Sequence, residues 1–496
     1  MKQRAPLTLA AVAAALAAVT AVAALAAPEA EGKAAGAEAA AAARMPVERS
    51  LLVCPAPSSS DIADTTYTAF TPGPAASAEG KGSARLLGAT KDAKAVLELK
   101  ETGKPAGATA TGADAPALTG SADGVLAPGW TAQQTTKVSV GRSRGVLGTA
   151  CTAPGTDFWF PGVSTAAGRE DYVHLTNPDD AAAVVDIRIF GPDGAAKPDQ
   201  GTSENIRIDP KSTKSVLLSS LAPGAQLADA TAHVTTRAGR VGASVQVAEE
   251  GVGTDWLPAS TDPAGSLVLP GIPADATSVR LVAFAPGEDD ADLKLRLAAP
   301  NGAISPAGNE QLHVKAGMTA TVDLKDLTRG EAGSLLLTPA DAGKAVPVVA
   351  AVRVVRGSGA KQELGFVPAA GPVGARATVA DNRAEENATV LSLTAPGDKD
   401  AQVKVTASPT TGGGEPASQD VTVKAGTTQS VTLAPSGGKG SYALTVETVS
   451  GGPVHAARTL SLPHEGIAMF TVQTLSDDRS TVSVPRAVQD LSVLTR

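Results

Sequence analysis

The chain has 496 residues and a formal net charge of −8, with 51 Gly and 35 Pro but only 3 Trp, 3 Tyr and 7 Phe. A hydrophobic fraction of 43% against 19% charge excludes a wholly disordered chain and sets an expectation of about three to four domains. The acidic balance speaks against nucleic acid as a partner, because phosphate binding needs Lys and Arg in excess on one face.

At the start, Lys2 and Arg4 precede an uncharged run from Leu7 to Ala27. A basic opening, an apolar run and small residues at its end are the parts of a secretory signal, and Ala24-Leu25-Ala26 offers a cleavage site. Left uncut, a helix of that run is about 31 Å long and crosses a bilayer core as an anchor. Residues 1–27 therefore read as a signal peptide or an N-terminal hydrophobic helix, and both readings export residues 28–496. The chain then meets a membrane through this segment alone and lives outside the cell or on its surface. Residues 28–45 are an Ala/Glu/Gly-rich linker with no β-branched or aromatic side chain to bury.

The two cysteines, Cys54 and Cys151, allow one intrachain pairing. In an exported chain they are most simply a disulfide, and no His or second Cys near either one offers metal-ligand spacing.

Beyond the linker the chain repeats itself. Phe158-Trp159-Phe160-Pro161-Gly162 returns as Leu267-Val268-Leu269-Pro270-Gly271. Leu175-Thr176-Asn177-Pro178 returns as Ala283-Phe284-Ala285-Pro286 and again as Leu393-Thr394-Ala395-Pro396, and Tyr67 to Pro72 fits the same place earlier. Gly145, Gly239, Gly343 and Gly452 each mark a hairpin late in a copy, where a tight turn asks for positive φ. These landmarks divide the chain into units 46–156, 157–265, 266–375 and 376–479, with 480–496 as a partial fifth repeat of C-terminal strands.

Within a unit the period is two. Val185 to Ile189, Leu293 to Leu297 and Val403 to Thr406 alternate apolar with polar residues, the pattern of half-buried antiparallel strands. Turn signals come next at Gly191-Pro192-Asp193-Gly194, Pro300-Asn301-Gly302 and Thr411 to Gly414. The expected fold is all-β: tandem immunoglobulin-like sandwiches with thin aliphatic cores. The alternative is a closed, propeller-like ring in which the last strands complete the first unit.

Candidate chemistry is sparse. His174 and His233 fall in the second unit, His313 in the third, and His455 and His464 in the fourth, none of them at metal-ligand spacing. Ser58-Ser59-Ser60-Asp61 reads as a turn, and Gly412-Gly413-Gly414 leads into Glu-Pro rather than a phosphate loop. The acidic turns Asn177 to Asp180, Glu288 to Asp292 and Asp398 to Asp400 could bind Ca²⁺ but read better as solvated turns. Trp159 and Trp256 lie in echoing Gly-Thr-Asp contexts at unit boundaries, where packing of one unit on the next is the simpler role. No catalytic, cofactor-binding or metal-ligating residue is assigned, and no cofactor is expected.

At Val47 to Pro55 and from Gly148-Thr149-Ala150-Cys151 through Phe158 to Gly162, the chain resembles a family of exported actinobacterial proteins with a domain of unknown function. The resemblance covers residues 46–496 and offers no catalytic residues to carry over. The leading expectation is a non-enzymatic cell-envelope protein, secreted or membrane-tethered, acting as a structural or interaction scaffold toward an envelope protein or glycan. The alternatives are an array of cell-wall glycan-binding modules and an exported hydrolase whose residues converge from separate units.

Overall fold

Leu293, Leu295 and Leu297 are buried while Lys294 and Arg296 between them are exposed, so alternation alone places one face of Ala291–Ala299 on a core. The same logic forms Ala183–Gly191 and Ala401–Pro409. A computed structural model describes residues 43–73, 80–197 and 202–485. The apolar run 7–27, the linker up to residue 42 and residues 486–496 lie outside the described residues. Among the described residues no helix is long and apolar enough to cross a membrane.

Apart from one ribbon of two strands, the described strands form paired, open, four- or five-stranded sheets. In the first sandwich, one sheet runs Arg49–Cys54, Leu118–Asp123, Ala84–Gly88, Ala95–Leu99. The facing sheet runs Ala106–Thr111, Asp64–Phe70, Thr131–Val138, Gly145–Ala150. The second sandwich repeats this order with Asp157–Val163, Ala230–Ala238, Ala183–Gly191 and Gly194–Ala195, and Ile206–Ile208 is added on Ala183–Gly191. Its facing sheet is Ser212–Leu217, Arg169–Asn177, Gly242–Glu249, Gly253–Leu257. The third has Leu267–Ile272, Gly333–Pro339, Ala291–Ala299, Gly302–Ile304 with Gln311–Val314, against Thr319–Lys325, Ala276–Phe284, Val349–Arg356, Glu363–Pro368. The fourth has Arg376–Arg383, Ser441–Gly451, Ala401–Pro409, Ala417–Val423, against Thr427–Val431, Thr389–Ala395, His455–Ser461, Phe470–Leu475. Between each pair of sheets lies one core made mostly of Val, Leu, Ile and Ala.

Two details differ from the sequence reading. The first and second strands of each sandwich lie in opposite sheets, whereas an immunoglobulin domain keeps its first two in one, so the likeness is to the two-sheet architecture and not to the strand order. The turns at Gly239, Gly343 and Gly452 carry the chain from one sheet to the other instead of closing hairpins, because the flanking strands find their partners elsewhere. Gly145 instead begins the strand after a true hairpin from Thr131–Val138.

The last strand of each second sheet faces its counterparts. Gly145–Ala150 packs on Gly253–Leu257, that strand on Glu363–Pro368, that on Phe470–Leu475, and the last returns to Gly145–Ala150. The four sandwiches of residues 46–481, one compact unit, are thus arranged around a common centre by side-chain packing between open sheets. Among the described residues no sheet closes on itself, and Thr481–Val484 pairs with Ala43–Pro46 in a ribbon of two strands. Residues 43–45 and 482–484 of that ribbon belong to a second unit, 1–45 with 482–496.

Candidate functional site: a buried polar centre

Close packing of the four central strands requires missing side chains at their contacts. A Cβ on Gly148 would collide with Thr471 Cγ2, and one on Gly253 would collide with Glu363 Oε1. The space so freed holds charged groups withdrawn from water.

Asp255 is completely buried. Its Oδ1 accepts from the Gly148 backbone N–H at 3.3 Å, and the Thr471 hydroxyl lies 3.1 Å from both carboxylate oxygens. Three sandwiches thereby meet on one carboxyl. Burial drives its pKa well above the ordinary carboxylate range, and the hydrogen bonds only partly oppose this. Glu363, also fully buried, is pushed up to about 8 by the same desolvation, with the Arg144 guanidinium acting in the opposite direction.

Arg144 leaves the hairpin of the first sandwich and places Nε 3.9 Å from Glu363 Oε2. Its Nη2 donates to the carbonyls of Val252 and Gln362, and its Nη1 donates to Ala360 at 3.4 Å. One side chain therefore ties three sandwiches together. In the fourth, Arg458 is fully buried and donates to Gln473 Oε1 and, at 3.4 Å, to Gln133 Oε1 of the first sandwich. Burial lowers it to about 10.

The residues singled out in the sequence are placed elsewhere. Cys54 and Cys151 are joined, with Cα atoms 4.4 Å apart, and the bond sits in the core of the first sandwich. A disulfide suits an oxidising, extracellular environment. All three Trp are buried in packing roles. Trp130 lies in the first core, Trp256 packs with Ala63, Val138 and Leu147 between the first and second sandwiches, and Trp159 packs with Phe284 and Val349 between the second and third. His233 stacks on Trp159 with ring centroids 3.5 Å apart and holds Asp157 at 3.0 Å. His174 Nδ1 lies 3.1 Å from Ser215 Oγ, but its Nε2 is buried without a partner, so the pair lacks the orienting carboxylate of a catalytic triad.

The acidic turns are committed to the backbone and to neighbouring cations. Asp179 binds Arg240 through both oxygens. Asp290 accepts from the Ala316 N–H at 2.9 Å, and Asp400 accepts from Ala425 N–H and Lys424 Nζ. Ser60 N–H donates to Ser58 Oγ at 3.1 Å, a local turn. Sequence reasoning did not single out Asp255, Glu363 or Arg458. The available signal was a charge inside a short strand with no polar face, as in Gly253-Thr254-Asp255-Trp256-Leu257.

Outside the centre, a polar cleft of about 430 Å³ is formed where chain segments leave the central strands. Ser260, Thr261, Asp262, Thr474, Asp477 and Arg479 contribute to its lining.

No curated protein matches the chain. A family model described as a family of unknown function (DUF5719) matches residues 106–434. The match begins inside the first sandwich and ends inside the fourth, so what the family shares spans several sandwiches rather than one repeated module. With more than half of its length matched, the chain belongs to the DUF5719 family of unknown function.

Proposed function

We propose that the protein is a non-enzymatic scaffold of the cell envelope, secreted or tethered through its N-terminal segment, that presents four sandwiches to an envelope protein or glycan. The observation that carries this reading is the use made of the ionisable groups at the centre. Asp255, Glu363 and Arg144 are each tied to strands or turns of other sandwiches, and burial raises the pKa of both carboxyls. Such groups hold a shape; a catalytic carboxyl of raised pKa would instead line a cleft open to substrate. The disulfide supports an exported setting.

The polar cleft at Asp262, Asp477 and Arg479 favours one second reading, a site for a glycan or another hydroxyl-rich ligand. Buried Trp side chains weigh against an array of aromatic sugar platforms.

The test is chemical crosslinking in intact cells, followed by identification of the captured material. A scaffold gives a defined envelope component, lost when Asp262 and Arg479 are both changed to Ala if the cleft is the contact. Turnover of ester, peptide or glycoside substrates that disappears in Asp255→Asn or Glu363→Gln, with the fold intact, would replace the scaffold by an enzyme.

A further inference from the structure

The strand Ala106–Thr111 ends the second sheet of the first sandwich. It pairs with Asp64–Phe70 on one side, and among the described residues no strand lies on the other. Its sequence, Ala-Gly-Ala-Thr-Ala-Thr, holds no charge. Gly107, Thr109 and Thr111 are exposed, and the three alanines between them are half-buried against the core.

The strands at the same place in the other sandwiches are guarded. Ser212–Leu217 carries Lys214, and Thr319–Lys325 carries Asp323 and Lys325. Thr319 also donates its hydroxyl to the Phe190 carbonyl of the second sandwich. Thr427–Val431 is uncharged, but its Thr428 hydroxyl donates to Ser334 Oγ of the third sandwich at 3.0 Å. An open edge presents free N–H and C=O groups and pairs with another strand unless charge, proline or a cover prevents it. Nothing of that kind lies within Ala106–Thr111.

Charges stand at its two ends instead. Lys104, just before the strand, is exposed and meets Glu101 at 3.1 Å in a surface pair of the kind that contributes little. Asp114, just after it, is exposed as well. In an antiparallel pair, residues directly opposite each other point to the same face. A second copy set on this edge about a twofold axis at Thr109 puts Thr109 opposite its own counterpart, Gly107 opposite Thr111, and Ala108 opposite Ala110. Lys104 and Asp114 are equally far from Thr109 in the sequence, so the same register carries Lys104 of each chain toward Asp114 of the other.

We propose that this edge is a self-association site, at which two copies of the chain join through Ala106–Thr111 and merge two four-stranded sheets into one. The pairing bonds backbone groups that otherwise face water, covers the half-buried alanines and sets opposite charges together at both ends. A twofold contact of this kind uses the same patch on both chains and closes at the dimer. Self-association goes beyond the scaffold reading and can fail while that reading stands, because its readout is the mass of the protein and not a captured partner.

Sedimentation velocity of the full chain over a wide range of concentration should show a reversible monomer–dimer equilibrium. Lys104→Asp should weaken association at least about tenfold, since like charges then meet across the interface. Lys104→Asp combined with Asp114→Lys should restore it. A chain that stays monomeric, an association indifferent to Lys104→Asp (as one through the apolar run 7–27 would be), or a double variant no better than the single would overturn the proposal. A thiol test locates the contact. Both native cysteines are in the disulfide, and residues opposite each other in a strand pair lie within disulfide reach. With oxidised glutathione as oxidant, Thr109→Cys should link chain to chain on a non-reducing gel, and Lys214→Cys, on a guarded edge, should not. Equal linking at both positions would mean random collision and sink the assignment.

Discussion

Arg144 and Glu363 lie 219 positions apart in the chain and meet at 3.9 Å, the guanidinium of one sandwich against the buried carboxyl of another. The attraction does not make the carboxyl a stronger acid; burial outweighs it and leaves Glu363 at about 8. A carboxyl that titrates higher in the folded protein than in the unfolded chain stabilises the fold while protonated in both states. That advantage is lost as pH rises from the unfolded value near 4.5 to about 8. Asp255 acts in the same direction. Urea midpoints of the wild type are expected to fall across this window. Glu363→Gln, isosteric and neutral, should flatten the fall and be the more stable protein at pH 8. A Gln variant with the same slope as wild type would remove the assignment.

His174 gives the opposite dependence. Burial lowers it to about 4, so the folded protein favours the neutral ring. Stability is complete above pH 6.5 and is lost as pH falls toward 4. The ring stands edge-on to Trp256, 5.1 Å between centroids. Trp256 emission should therefore change in an acid transition that His174→Gln shifts to lower pH. Persistence of the transition unchanged in that variant would point to His455 or His233, which burial also lowers.

Removal of the disulfide should cost about 5 kcal/mol in the chain-entropy model, since the bond spans 97 positions. Cys54→Ser with Cys151→Ser, unfolded by urea beside the oxidised wild type, measures it. The loss should fall on the first sandwich, whose core holds both sulfurs.

Gly148→Val should be among the most damaging substitutions, by about 2 kcal/mol or more, because Thr471 occupies the space a Cβ needs and is itself held by Asp255. Gly168→Ala is a useful contrast. No atom lies within 4 Å of its Cβ position, and the only burden is a φ of +85°, a cost of about 1 kcal/mol. Thermal melts of the two variants should separate clearly; similar melts would mean that the central strands can move apart freely.

How much of the fold is legible in the sequence depends on range. Alternation in Leu293 to Leu297 reports a local period, and such segments are strands with the expected buried face. Gly239 and Gly343 announce turns, but not which sheet the chain enters next, because that is decided by partners far along the sequence. The same limit hides the centre. Asp255 reads as one acid in a short strand, and only the approach of Gly148 and Thr471, from 107 positions before and 216 positions after it, makes it a junction. The tryptophans are easier, since a large ring at a boundary has few places to go but between neighbours.

The bond between Cys54 and Cys151 has a practical consequence for anyone handling the protein. A single proteolytic cut in any loop between those two positions leaves both fragments attached. Such material migrates as one species on a non-reducing gel and falls into two only after thiol treatment, so a preparation nicked in its first sandwich passes for intact unless reductant is added.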